Sequence, residues 1–194
     1  MEHTLGLRER KKAATRQAVH EATLHLVVEH GFEHVTIEAI ADAAGISRRT
    51  FSNYFAGKED ALLYGEEEQI RAFVQAVRAR PADEPAWTAL RRALRVLSHR
   101  HGRPDPEWAV RTRLAKRHPS VLARQLANHA ALERDLALAV AERRGPEGVR
   151  PQIVAAAFLT AARIGMHLWT EEEQTRDPVE VIEEILEEMA APFS

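Results

Sequence analysis

The side chains best suited to recognition gather between Thr36 and Lys58, which reads TIEAIADAAGISRRTFSNYFAGK. Ser47, Arg48, Arg49, Thr50, Ser52, Asn53 and Tyr54 fall within eight positions of one another. An arginine forks onto guanine, an asparagine onto adenine, and Ser, Thr and Tyr hydroxyls reach phosphate oxygens. Phe51 and Phe55 are four apart and share one helix face, which leaves the polar side chains on the other. Thr36 stands where an N-cap belongs, ahead of Ile37, Ile40, Ala41 and Ala44 at helical spacing. Gly45 breaks that run, and Ser47 caps the next. Two short helices joined at a glycine turn predict a helix-turn-helix, whose second helix enters the major groove. The residues expected to touch DNA are Thr36, Ser47, Arg48, Arg49, Thr50, Ser52, Asn53, Tyr54 and Lys58. Lys11, Lys12 and Arg16 are placed to flank the groove. Glu21, Glu29, Glu33, Glu38 and Asp42 offset these cations, so positive charge is confined to Ser47–Arg49 and Arg8–Arg16. A short solvated helix with two arginines is the plainer reading of the same stretch.

Other chemistry is weaker. Ten histidines invite a metal, and His30, Glu33 and His34 match an H-x-x-E-H pattern. That pattern needs one continuous helix to bring both imidazoles to one face. Gly31 stands where the first helix should stop, so the two histidines are splayed. His20-Glu21 opens an H-E-x-x-H pattern, but Leu24 occupies the second histidine position. No G-x-S-x-G, G-x-G-x-x-G or P-loop occurs. Cysteine is absent, which excludes thiolate catalysis, disulfides and Cys-based metal sites. No enzyme, metal or cofactor is expected.

The elements that must position the polar run are helices. With 194 residues, 45% apolar and 29% charged, the chain is globular, with room for one or two domains. A net charge of −2 gives no global attraction to nucleic acid, so a DNA-binding surface must be local. The N-terminus lacks the apolar run of a signal peptide, and Arg163 interrupts the longest apolar stretch, Ile153 to Met166. A cytoplasmic protein without membrane contact is expected.

Periodicity predicts an all-α chain of about nine helices. The expected spans are 8–30, with Ala14, Ala18, Val19, Ala22 and Leu26 as its apolar stripe, 36–44, 47–54, 58–79, 85–101, 107–117, 120–143, 151–170 and 178–190. Residues 1–57 form the expected DNA-binding domain and 58–194 a helical regulatory and dimerisation domain. The acidic run through Glu171, Glu172, Glu173, Glu180, Glu183, Glu184, Glu187 and Glu188 reads mostly as a solvated helix face, with an acidic interaction tail as the alternative.

Gly31-Phe32, Thr36-Ile37, Ile40-Ala41, Ala44-Gly45-Ile46-Ser47-Arg48-Arg49-Thr50-Phe51, Tyr54-Phe55 and Lys58-Glu59 together resemble the N-terminal domain of TetR-type repressors. The resemblance covers roughly residues 10 to 64. It implies a bacterial DNA-binding regulator whose remaining chain is a helical ligand and dimer domain. Two positions depart from the family pattern: Arg49 stands where Gly is frequent, and Ser52 where Tyr is frequent. Tyr54 is then the tyrosine left for the DNA backbone, and the operator sequence does not carry over.

In the second domain, Trp108, Arg111, Leu122, Gln125, Leu126 and His129 mix apolar walls with a few polar groups, as a ligand pocket requires. Arg111 could pair with an acidic head group. Trp87, Trp108, His99 and His129 suit core or surface positions better than pocket walls. Arg163 and His167, four apart, suit interface hydrogen bonds. The 151–170 segment is apolar almost all round, so it is expected to be buried on more than one side. Phe158, Leu159, Ala162 and Met166 there, with Ile182, Ile185, Leu186 and Met189 of the last helix, form the expected interface of a homodimer. Such a dimer would read a palindromic operator in double-stranded DNA and answer to a small-molecule effector. The competing reading is a helical interaction module without DNA binding.

Overall fold

The computed structural model describes residues 6–101, 117–143, 149–171 and 176–190. Among these the chain is all-helical, with eight α-helices, one 3₁₀ turn and no strand. The helices are α1 (Leu7–His30), α2 (Ile37–Ala43), α3 (Arg48–Tyr54), α4 (Lys58–Arg78), α5 (Ala86–His101), α6 (Pro119–Ala141), α7 (Pro151–Glu171) and α8 (Pro178–Ala190), with the 3₁₀ turn at Phe32–His34. The expected helix at 107–117 lies outside the described residues except for its last position.

Local chemistry sets the ends. Gly31 stops α1 at φ +80°, a conformation that a side chain disfavours, and its N–H bonds Val27 O at 2.9 Å. Thr36 Oγ1 accepts from Ala39 N at 3.1 Å to open α2, and Ser47 Oγ accepts from Thr50 N at 3.0 Å to open α3. Pro119, Pro151 and Pro178 are each the first residue of a helix, where the missing N–H would have had no partner.

Two compact units divide at Glu68/Gln69 inside α4 and at Ala127/Asn128 inside α6. The first unit holds α1 to α3, the start of α4 and the start of α6. Val19, Phe32, Ile40, Phe51, Phe55, Leu63 and Val121 are among its buried core. The buried face of α1 is Val19, His20, Thr23, Leu24 and Val27. This corrects the expected stripe: Ala14 and Ala18 are exposed. Alanine favours any helix position, so it marks helicity rather than burial.

The second unit closes around Val77, Leu90, Leu136, Val154, Phe158 and Leu186. Phe158 stacks on Phe73 with centroids 5.6 Å apart and meets the Trp87 ring edge-on at 5.9 Å. Helices α7 and α8 touch backbone to backbone: a Cβ added at Gly165 would sit 2.6 Å from Ile182 Cα, so only glycine admits this approach.

Ion pairs organise the rim of this core. Glu183 is buried, not solvated as the acidic run suggested, because Arg91 and Arg95 of α5 both donate to its carboxylate. The Arg143 guanidinium donates to Val77 O, to Arg80 O at 2.9 Å and to Pro81 O at 2.6 Å, and so fastens the end of α4 and the turn that follows it. Glu84, also buried, accepts from Arg80 Nε at 2.7 Å and from Arg92. The Arg80 hydrogen bond above all, and Arg92 with it, hold the Glu84 carboxyl below its ordinary value against the opposing push of burial.

A depressed folded-state pKa contributes stability above the unfolded value, and that contribution is lost as pH falls through the folded one. Glu84→Gln is therefore expected to lower stability by about 1–3 kcal/mol at neutral pH. In thermal melts the gap between wild type and variant should start to close as pH falls below the ordinary carboxyl value of about 4.5, where the unfolded chain takes up its proton first, and should keep closing until the folded carboxyl protonates in turn. A gap that stays constant from pH 7 to roughly pH 3 would assign the loss to packing and not to charge.

Candidate nucleic-acid interface

Helix α3 has only seven residues, and its two faces divide cleanly. Phe51 is fully buried and Phe55 nearly so, their rings 5.6 Å apart, with Tyr64 of α4 set edge-on to Phe55 at 5.7 Å. Arg48, Arg49, Ser52 and Asn53 are exposed on the opposite side, and Tyr54 is half-buried at the end. Arg16 of α1 lies over the Tyr54 ring at 5.4 Å. Gly45, at φ +66°, makes the left-handed turn between α2 and α3. Its N–H bonds Asp42 O at 3.1 Å, and Ile46 N bonds Ala41 O at 2.9 Å. The angle between the two helices is thus set by backbone hydrogen bonds.

The nine residues expected at DNA fall into three groups. Thr36, Ser47 and Thr50 use their hydroxyls locally: the first two cap helices, and Ser47 Oγ also meets Thr50 Oγ1 at 2.8 Å. Arg48, Arg49, Ser52, Asn53 and Tyr54 form one polar surface. Arg48 pairs with Glu38 at 2.9 Å, but both side chains are more than half exposed, so a phosphate or base can take the arginine at little cost.

Lys58 stands apart. Its Nζ donates to Phe32 O at 2.8 Å and Val35 O at 2.9 Å and lies 4.4 Å from the centre of the Phe32 ring. The ammonium ties the start of α4 to the loop before α2, a different first use from the phosphate contact expected of it. Phe32 O also accepts from Val35 N at 3.4 Å across the 3₁₀ turn, and the ammonium is a second donor to it.

Three neighbouring acidic groups are also partnered. Glu29 meets His25 and His30, Glu21 accepts from Gln17 at 2.8 Å, and Glu33 lies 3.7 Å from His118. His34 is the last residue of the 3₁₀ turn, past the end of α1 at His30, and bonds back to His30 O at 3.1 Å, so the H-x-x-E-H pattern does not lie on one helix. Among the described residues no group of three or more His, Asp or Glu is placed to hold a metal ion.

One structural residue escaped sequence reasoning. His20 is buried between α1 and α4, with Nδ1 2.8 Å from Ala61 O, and an added Cβ at Gly65 would lie 2.5 Å from its Nε2. A glycine inside a long helix costs stability and so signals close approach. Gly65 was the available sign.

Residues 20–64 match the profile of bacterial regulatory proteins of the tetR family, and residues 84–194 match that of the MftR C-terminal domain. TcmR of Streptomyces glaucescens, an HTH-type transcriptional regulator, is 32% identical over 84% of this chain and 76% of its own length. The chain belongs to the TetR family. It is a transcriptional regulator, and the α2–α3 pair is the helix-turn-helix of that family. MftR of Mycobacterium tuberculosis is 28% identical over 84% of each chain. The fold also matches SmeT, the repressor of a Stenotrophomonas maltophilia multidrug efflux pump. In its triclosan complex SmeT superposes with a TM-score of 0.68 at 19% identity, over 93% of this chain and 91% of its own.

In this TetR-family chain the expected pocket is only partly described. Trp108 and Arg111 lie outside the described residues. Leu122, Leu126 and His129 are exposed on α6, and Gln125 Nε2 donates to Glu66 at 3.1 Å. Of the expected dimer residues, Phe158, Leu159, Ile182 and Leu186 are buried in the chain's own core, so their surface is already used within the protomer. Met166 is exposed, and Ala162, Ile185 and Met189 are half-buried. No helix among the described residues is long and apolar enough to cross a membrane.

Lys58→Ala is expected to cost about 1–3 kcal/mol of folding stability, because it leaves two carbonyls without their charged donor. A thermal midpoint equal to wild type would show that solvent replaces those bonds freely.

Proposed function

We propose that this regulator is a repressor that binds a palindromic operator in double-stranded DNA as a homodimer in the cytoplasm, and that it regulates without catalysing. The observation that carries this reading is the exposed polar face of α3, held outward by Phe51 and Phe55. Residues 1–57 read DNA and 58–194 regulate and dimerise. Arg48, Arg49, Ser52 and Asn53 are the base readers, with Thr50 and Tyr54 on phosphates. A two-fold axis sets the two copies of α3 in successive major grooves, roughly 34 Å apart. Ala162, Met166, Ile185 and Met189 keep apolar surface on α7 and α8 for the partner. Genomic fragments selected by binding should share a palindrome with a symmetric footprint. Arg48→Ala and Arg49→Ala should each weaken binding by about 1–3 kcal/mol and relax selectivity at one position per half-site. An asymmetric footprint, or wild-type binding by the double variant, would reject the assignment. No salt-dependent shift with any fragment would favour an interaction module instead.

The same reading includes a small, largely apolar effector that enters the second domain and lowers DNA affinity. Most of the chain lies beyond the reading head, more than dimerisation requires, and the related fold of SmeT is known with triclosan bound. Trp108, Arg111, Leu122, Gln125, Leu126 and His129 are the candidate contacts. Helix α4 carries the change, since its residues belong to both units. Reciprocity requires that DNA weaken effector binding by the same factor, about 5–150-fold. The test is operator titration with and without a binder found by thermal-shift screening, triclosan included. A binder seated in the second domain that leaves operator affinity unchanged would refute the coupling.

A further inference from the structure

Helix α1 changes character along one side. Val19 and Leu26 lie on the edge of α1 that closes the first unit's core, Val19 fully buried. Counting back from Val19 by the three- and four-residue spacing of a helix face reaches Thr15, Lys12, Lys11 and Arg8. Apolar side chains give way there to cations. Leu7, Arg8, Lys11, Lys12 and Thr15 line an open groove whose other wall is Tyr54, the last residue of α3. The groove therefore adjoins the polar face of the reading helix, and Arg16 over the Tyr54 ring joins the two walls.

The charges in the groove are not equivalent. Glu9 takes Lys12 at 3.0 Å. The Thr15 hydroxyl donates to Lys11 O at 2.9 Å, within its own helix. Arg8 and Lys11 are exposed and form no ion pair among the described residues. Two cations, one helical turn apart, thus face an open trough that encloses nothing. That shape suits an extended polyanion passing through it rather than a small molecule held inside it. From Arg8 to Thr15 the helix advances about 10 Å, close to three base-pair steps of duplex.

We propose that this groove is a second DNA contact, which holds phosphates bordering the bases that α3 reads, with Arg8 and Lys11 as the charged ligands and the Tyr54 hydroxyl as a shared donor. The proposal rests on α3 being the reading helix. Phosphate contacts position the protein and carry no sequence information directly. The groove should thus set affinity and salt dependence and leave operator preference alone.

The test compares wild type with Arg8→Ala/Lys11→Ala on the selected operator across a salt series. Both side chains are exposed, so the thermal midpoint should not move. The slope of log K against log salt is expected to fall by about two, with binding roughly tenfold weaker near physiological salt. The rank order of operator variants should stay the same. Neutral methylphosphonates, placed one at a time along the backbone, should reveal positions that weaken wild type but not the double variant. An unchanged slope, or methylphosphonate losses identical in both proteins at every position, would overturn the proposal. So would a changed rank order, which would make these residues base readers. Wild type without affinity for any duplex would remove the reading of α3 itself, and this proposal with it. By contrast, wild-type binding that Arg48→Ala/Arg49→Ala weakens but Arg8→Ala/Lys11→Ala does not would remove the groove alone.

Discussion

A seven-residue helix does not hold itself together in water, and α3 is one. Nucleation is costly enough that isolated helices shorter than about 12–15 residues are marginal. The burial of Phe51 and Phe55 against Ile40 and the rest of the first core is what sustains it. Each such side chain contributes about 1.5–3 kcal/mol of burial. The Ser47 cap and the left-handed Gly45 turn then fix where the helix starts and how it leaves α2. The polar face is exposed as a consequence. With both phenylalanines committed inward, Arg48, Arg49, Ser52 and Asn53 have nowhere to go but solvent, or a partner that offers hydrogen-bond acceptors.

The same core is closed on its far side by α4. Lys58 bonds two loop carbonyls, and His20 packs against Ala61 and the bare backbone of Gly65. These contacts supply side-chain hydrogen bonds to backbone carbonyls of the loop and of α4. They also mean that α1, the loop before α2 and the first turns of α4 move as a piece. An influence on the start of α4 therefore reaches the base of the reading head without any contact at α3.

Where the physics is local, the sequence showed it. Gly31, Thr36, Gly45 and Ser47 act within four residues of themselves, and each takes the role its type suggests. The outline of α4 followed from the break at Gly57, and that of α7 and α8 from apolar spacing and from proline at the helix start. Long-range pairings were hidden. A histidine such as His20 looks the same in sequence whether it faces water or a carbonyl 41 positions away. Lys58 read as a surface cation because nothing in the sequence places it beside Phe32 and Val35. Glu183 read as solvated among its acidic neighbours until Arg91 and Arg95 of α5 were set opposite. Apolar spacing likewise cannot separate a chain's own core from a partner's. Phe158 and Leu186, expected to face a second copy, fill the interior of their own protomer.

The central claim is that the exposed face of α3 lies in the DNA groove of each half-site. The absence of cysteine makes this directly measurable, because a single introduced thiol is unique. An iron-chelate cleavage reagent on Ser52→Cys, with Glu188→Cys on α8 as the control, reports which part of the chain lies beside the duplex. The account predicts cuts from position 52 at two places related by the operator dyad, and none from position 188. Cuts from position 188 without cuts from position 52 would contradict it.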